Sequence, residues 1–192
     1  MSLSTKNVVA IGMFTAVQSV LSILTIPMPS GVPITLQTFS VALCGYVLGS
    51  RLGIASTMIY LLLGTIGVPV FAGMTGGPSC LVGYRGGFLW GFLFLTMLCG
   101  VSKKLSNCRI AIQIYAPVGA LHRMKKPILR IILGLAGLAV CHFLGVLQFA
   151  MVTSTSSAEA FFIVSLPYIA KDVMSVIGAY LVSVPVCRAI PV

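Results

Sequence analysis

The sequence predicts an all-α integral membrane protein: six transmembrane helices in a single domain over residues 1–192, both termini cytoplasmic. Three observations lead there. Hydrophobic residues make up 58% of the chain and charged ones 7%, with a mean hydropathy of +1.11, whereas a soluble domain is about 25% charged. Six apolar runs are separated by Pro-, Gly- or Lys/Arg-rich joints, and about 20 apolar residues suffice to cross a bilayer. Finally, ten of the twelve Lys and Arg residues fall on one side of such a bundle, as positive-inside topology requires.

The first helix is expected over residues 7–25. Lys6 before an apolar run imitates a secretory leader, but the run is too long and ends at Ile26-Pro27-Met28-Pro29 without a small-residue cleavage site. Ala10, Gly12 and Ala16 give this helix a smooth stripe suited to close helix–helix approach, within the chain or with a partner. Pro27, Pro29 and Pro33 then impose a stiff extended loop, apolar and uncharged, that lies on the bilayer surface or covers a cavity.

Helices two and three are expected over 34–48 and 52–66, joined at Gly49-Ser50-Arg51. Thr35, Gln37 and Thr38 open the second, and Gln37 should turn inward to a partner because lipid offers none. The stretch 67–78 is rich in Gly and Pro and reads as irregular backbone, tolerable at membrane depth only beside protein or a water-filled cavity. No Gly-Lys-Ser/Thr follows it, so a nucleotide cradle is excluded.

Gly83-Tyr84-Arg85-Gly86-Gly87 introduces helix four over 87–101, with Gly83, Gly87 and Gly91 on one smooth face. A long basic cytoplasmic loop, 102–126, precedes helix five over 127–152, with Pro127 suited to a first turn. His142 stands alone on that helix and reads as hydrogen-bonded within the bundle rather than catalytic. Ser156-x-x-Glu159 fits a capping box, and helix six follows over 167–186.

With the N-terminus inside, Lys6, Arg51, the seven basic residues from Lys103 to Arg130, and Arg188 are cytoplasmic. Arg85 and Lys171 break the rule. Both acids of the chain, Glu159 and Asp172, lie on the outer side as well. Once Glu159 is assigned to its cap, Arg85, Lys171 and Asp172 remain at the outer ends of helices four and six. An Asp in a membrane helix costs about 2.5–3.5 kcal/mol unless it faces a cavity or partner. Two cations and an anion beside Gly- and Pro-rich loops suit a small molecule carrying a carboxylate and a polar donor. The bland alternatives are an interfacial snorkelling Arg85 and a helix-end Lys171–Asp172 pair.

Composition excludes other classes. The net charge of +10 is spread between apolar runs rather than gathered with aromatics, so nucleic acid is not a partner. The six cysteines show neither Cys-x-x-Cys nor His at zinc-ligand spacing, which argues against disulfides and a metal. No nucleophile–base arrangement marks an enzyme, although an integral membrane transferase stays an alternative. No Walker motif is present, so the chain is not expected to hydrolyse ATP itself, and no cofactor is expected.

Specific stretches carry a resemblance. Pro33-Ile34-Thr35-Leu36-Gln37-Thr38-Phe39, Tyr60-Leu61-Leu62-Leu63-Gly64, Gly67-Val68-Pro69-Val70-Phe71-Ala72-Gly73 and Gly86-Gly87-Phe88 resemble the BioY family, as does 166–172. Its members are the biotin-binding S components of energy-coupling-factor (ECF) ABC transporters. The resemblance implies an ECF S-component-like bundle in a bacterial cytoplasmic membrane that takes up biotin. It implies membrane lipid, an ECF transmembrane scaffold and ATPase subunits as partners, the subunits shared or absent, with a homo-oligomer left open. A solitary carrier driven by an ion gradient, or facilitative, is the alternative.

For the site, the resemblance implies Arg85 near the start of helix four and Asp172 in helix six. The family pattern places a lysine three residues after the acid; here that position is Ser175, and Lys171 precedes the acid on a neighbouring face. Thr75 stands in for an asparagine expected in the Gly-rich loop. Thr35, Gln37, Tyr84 and Tyr168 complete the expected substrate contacts, with Trp90 as a further aromatic wall. Ala10, Gly12 and Ala16 match the partner contact.

Overall fold

A computed structural model describes residues 4–28, 32–113 and 121–189. Helix α1 (Thr5–Ile23) leads into strand β1 (Thr25–Ile26), which pairs antiparallel with β2 (Ile34–Thr35), Thr25 facing Thr35 and Ile26 facing Ile34. The ladder closes the neck of the Pro-rich loop. It also corrects one boundary, since Ile34 and Thr35 are extended and helix α2 (Gln37–Ile66) begins only at Gln37.

Midway along α2, Gly49 has φ 81° and ψ 176°, and the chain doubles back. Two contacts establish the reversal. Cβ built on Gly53 would lie 3.4 Å from Gly45 Cα, and Gln37 Nε2 donates to the Tyr60 hydroxyl. Residues 37 and 60 would be about 35 Å apart along a straight helix. Small residues at Gly45, Gly49 and Gly53 permit the two halves to touch.

The second half of α2 ends on Gly67, φ 112°, whose N–H caps Gly64 O. Irregular backbone follows, with the Phe71 ring folded over Gly64 and Gly77 N–H donating to Gly64 O at 2.7 Å. Short helix α3 (Ser79–Val82) follows directly on the irregular stretch 67–78, at residues to which the sequence assigned no element.

Helix α4 (Gly86–Gln113) runs well past the expected end at 101, and α5 (Leu121–Thr153) starts before the expected residue 127. Most of the supposed basic loop 102–126 is therefore helical, and 114–120 lies outside the described residues. Pro127 is inside α5 rather than in its first turn. Glycine lets α4 and α5 meet: Cβ on Gly91 would stand 2.6 Å from Cys141 Cα.

Ser156 caps α6 (Ser157–Val164), its hydroxyl accepting from Glu159 N–H while the Glu159 carboxylate accepts from Ser156 N–H. This is the capping box the sequence predicted, and it accounts for one of the two acids. Helix α7 (Leu166–Ala189) follows, carrying the other.

Among the described residues four helices are long and apolar enough to cross a membrane, α1, α2, α5 over Pro127–Thr153 and α7 over Leu166–Cys187, and Gly86–Val101 of α4 is a shorter apolar helix. The core gathers around the first half of α2, where Val41, Ala42, Cys44, Tyr46 and Val47 are almost fully buried between α4, α5 and α7. The inner face of α1 is polar instead. Thr15, Gln18 and Ser22 are buried there; Thr15 Oγ1 meets Ser56 Oγ at 3.1 Å and Gln18 Nε2 donates to the same oxygen at 3.1 Å. Ala10 is also buried in the core, so it cannot serve the outward contact expected of it. Gly12 and Ala16 are exposed, and a Cβ built on Gly12 would meet no atom of another element within 4 Å among the described residues.

Candidate substrate site

The loops and helix ends on one side of the bundle enclose a cavity of about 270 Å³, close to the lower bound of about 300–1,000 Å³ usual for ligand pockets. One wall comes from Pro33, Thr35, Gln37 and Thr38; another from Phe71, Ala72 and Thr75 of the Gly-rich loop. Tyr84 and Arg85 line it from the turn before α4, Phe88 from α4, Leu138, Cys141 and His142 from α5, and Tyr168, Lys171 and Asp172 from α7. A second recess of similar volume shares Pro33, Ala72, Thr75 and Arg85 with the first.

Asp172 is 6% exposed and doubly engaged. One carboxylate oxygen pairs with the Lys171 ammonium, and the other lies 3.2 Å from His142 Nε2. Thr38 is also within hydrogen-bonding reach of the carboxylate. Lys171 Nζ donates in addition to Thr35 O at 3.0 Å, tying α7 to β2. Adjacent residues on a helix diverge by about 100°, which had set Lys171 apart from the acid's face. Its four-carbon stem bends back to close the gap.

Arg85 is fixed by its surroundings. Gln148 of α5 donates to Leu81 O and Gly83 O, each at 2.8 Å, which anchors the turn before α4. From that turn Arg85 Nη2 donates to the Tyr84 hydroxyl at 2.9 Å, and its guanidinium sits 5.2 Å from the Tyr84 ring centre. Arg85 Nε is buried with no hydrogen-bond partner among the described residues. A planar guanidinium with a spare donor is suited to a carboxylate.

Of the residues expected at the site, Thr35, Gln37, Thr75, Tyr84, Arg85, Tyr168, Lys171 and Asp172 are brought together. Ser175 is not among the lining residues, and the cation beside the acid is Lys171. Trp90 is 47% exposed and absent from the cavity; Phe88, two positions earlier, supplies the aromatic wall. Trp90→Leu should therefore leave substrate affinity within about twofold of wild type, checked by titration of the purified protein. A tenfold loss would contradict this placement.

His142 is hydrogen-bonded within the bundle, as the sequence suggested, but its place in the cavity lining was not foreseen. The signal was available, because an ionisable residue in a membrane helix is a functional candidate by default. The charge census counted Lys, Arg, Asp and Glu and set histidine aside.

Similarity to known proteins identifies the family. The family model described as BioY family matches residues 1–192. The biotin transporter BioY of Rhodobacter capsulatus is 32% identical over 187 residues, covering 93% of this chain and 91% of that protein. The biotin transporter BioY of Thermotoga maritima is 42% identical over 96 residues, half of this chain and 56% of its own. The crystal structure of the S-component for biotin from an ECF-type ABC transporter superposes with a TM-score of 0.76, 23% identity and coverage of 97% of this chain and 95% of that one. With a family match over its whole length and a bundle that shares this fold, the chain belongs to the BioY family.

Proposed function

We propose that the protein binds biotin in the 270 Å³ cavity and acts in its uptake as the substrate-specific subunit of an ECF-type transporter. The observation that carries this reading is the charge pattern of the cavity. Arg85, Lys171 and Asp172 leave a net charge of +1 with His142 neutral, among largely apolar walls. Biotin presents the complement: one carboxylate, a ureido group with N–H donors, and an apolar bicycle. Arg85 takes the carboxylate, and Asp172 accepts from the ureido N–H. Tyr84, Phe88 and Tyr168 flank the rings.

The remaining assignments follow from the same reading. The two halves of α2, together with α1, α4, α5 and α7, make six crossings in one transmembrane domain. Both termini are cytoplasmic, and the membrane is the inner membrane of a bacterium. The exposed Gly12–Ala16 face of α1 meets the scaffold. The protein uses no resident cofactor, and partner subunits hydrolyse the ATP.

Isothermal titration of purified protein with biotin, desthiobiotin and lipoate tests the reading. Biotin and desthiobiotin, which share the ureido group, should bind, and lipoate should not; failure of biotin to bind ends the proposal. Arg85→Ala should weaken biotin by about 10- to 100-fold, the range for losing a charge-assisted hydrogen bond. A biotin amide lacking the carboxylate charge should lose much less. Equal losses for both ligands would remove Arg85 from the carboxylate.

One observation favours a second reading of the energy source. His142 and Asp172 form a buried titratable pair, the kind of group that proton-coupled carriers use. Uptake that persists in vesicles without ATPase subunits and collapses with a protonophore would support it.

A further inference from the structure

His142 is 8% exposed, lines the cavity, and uses both ring nitrogens. Nε2 faces Asp172 Oδ2 at 3.2 Å, while Nδ1 faces Ser165 Oγ at 2.7 Å. Ser165 is fully buried at the joint between α6 and α7. The ring also stands edge-on to Phe88, with centroids 5.8 Å apart. Neutral imidazole has one donor and one acceptor nitrogen, and the acceptor is chosen by its neighbours. A carboxylate can only accept, so Nε2 carries the hydrogen. Nδ1 then accepts from the Ser165 hydroxyl, so both ring nitrogens of His142 have a partner.

Lys171 holds the other carboxylate oxygen of Asp172. The group is thus gripped from α5 and from its own helix, with its orientation set before ligand arrives. A preformed acceptor avoids the ordering cost that binding would otherwise carry. We infer that His142 is a positioning residue for substrate recognition: as the Nε2–H tautomer set by the accept-only carboxylate and backed by Ser165, it aims the Asp172 carboxylate at the ureido N–H of the ligand. This inference rests on biotin as the ligand and adds a residue that acts through Asp172 rather than on the substrate.

A double-mutant cycle tests it, with biotin affinity as the readout. His142→Leu should weaken biotin by about 10-fold in the wild-type background, and by less than about twofold in the Asp172→Asn background. His142→Gln, which keeps an amide donor near the Nε2 position, should recover most of the loss. Equal losses in both backgrounds would overturn the inference, since His142 would then act independently of Asp172. Wild-type affinity for His142→Leu would overturn it while leaving the biotin site standing. Wild-type affinity for Asp172→Asn would instead sink the site assignment, and this inference with it.

Should His142→Leu fail to fold, ring-labelled histidine in the intact protein gives the answer by ¹⁵N NMR, with the His142 signal assigned by its loss in His142→Gln. The inference requires a neutral ring protonated at Nε2, and Ser165→Ala should leave that tautomer in place because the Asp172 carboxylate still demands a donor. A ring protonated at Nδ1 in the wild-type protein would refute it.

Discussion

Asp172→Asn should weaken biotin binding by about 10- to 100-fold and lower the thermal stability of the ligand-free protein. The affinity loss follows from replacing a charged acceptor, worth about 1.5–3 kcal/mol to a donor, by a weaker neutral one. The stability loss has a separate cause. Both carboxylate oxygens already face donors, Lys171 on one side and His142 on the other. An amide offers only one acceptor oxygen, so its NH₂ group must confront one of the two. Removing one member of a buried ion pair costs about 3–5 kcal/mol. Here the Lys171 side chain is 26% exposed, so water offsets part of that cost. Titration and thermal unfolding of the same detergent-purified sample separate the two effects. Unchanged affinity would remove Asp172 from the site.

Gly49→Ala should cut the yield of folded protein and lower its unfolding temperature, while the molecules that do fold keep their biotin affinity. At φ 81° and ψ 176° the backbone lies in a region essentially reserved for glycine, and a Cβ there costs about 1–3 kcal/mol. Relaxation is blocked by the neighbouring helix. Gly100 of α4 packs so tightly on the turn that a Cβ on it would come within 2.2 Å of Ser50 N. The turn cannot open without displacing α4, and α4 begins beside Arg85. Size-exclusion profiles and thermal melts of Gly49→Ala beside wild type measure the effect. An unchanged melting temperature would show that the reversal tolerates a side chain.

Much of this architecture is legible in composition because a bilayer imposes simple rules. The apolar runs lie within the observed helices apart from a few residues at their ends, and the Ser156–Glu159 box is visible as a four-residue pattern. Where the reading failed, non-local geometry decided. Basic residues at 102–126 suggested a loop, yet Lys and Arg are good helix formers, and α4 and α5 continue through most of that stretch. The β1–β2 ladder has two residues on each side, too short for any alternation to register. At the site, the acid and the arginine stood out by their cost in lipid. The link between His142 and Asp172 spans 30 residues and two helices, and no local pattern encodes it. Ser175 and Trp90 were placed by analogy and by residue type. Side-chain direction on α7 and α4 sends them elsewhere.

The polar seam under α1 has a consequence for how that helix is set. In lipid, apolar packing tolerates rotation of a helix about its own axis, because one greasy face replaces another at little cost. Directional hydrogen bonds do not. Turning α1 by a single residue, about 100°, would pull Gln18 away from Ser56 and carry an amide toward hydrocarbon, where no partner waits. Thr15 and Ser22 resist the same turn, Thr15 through Ser56 and Ser22 through its buried position. The azimuth of α1 is thus locked from within, and with it the direction in which the bare surface of Gly12 and Ala16 looks out. The residues that decide which face this helix offers to a neighbour are ones that neighbour never touches.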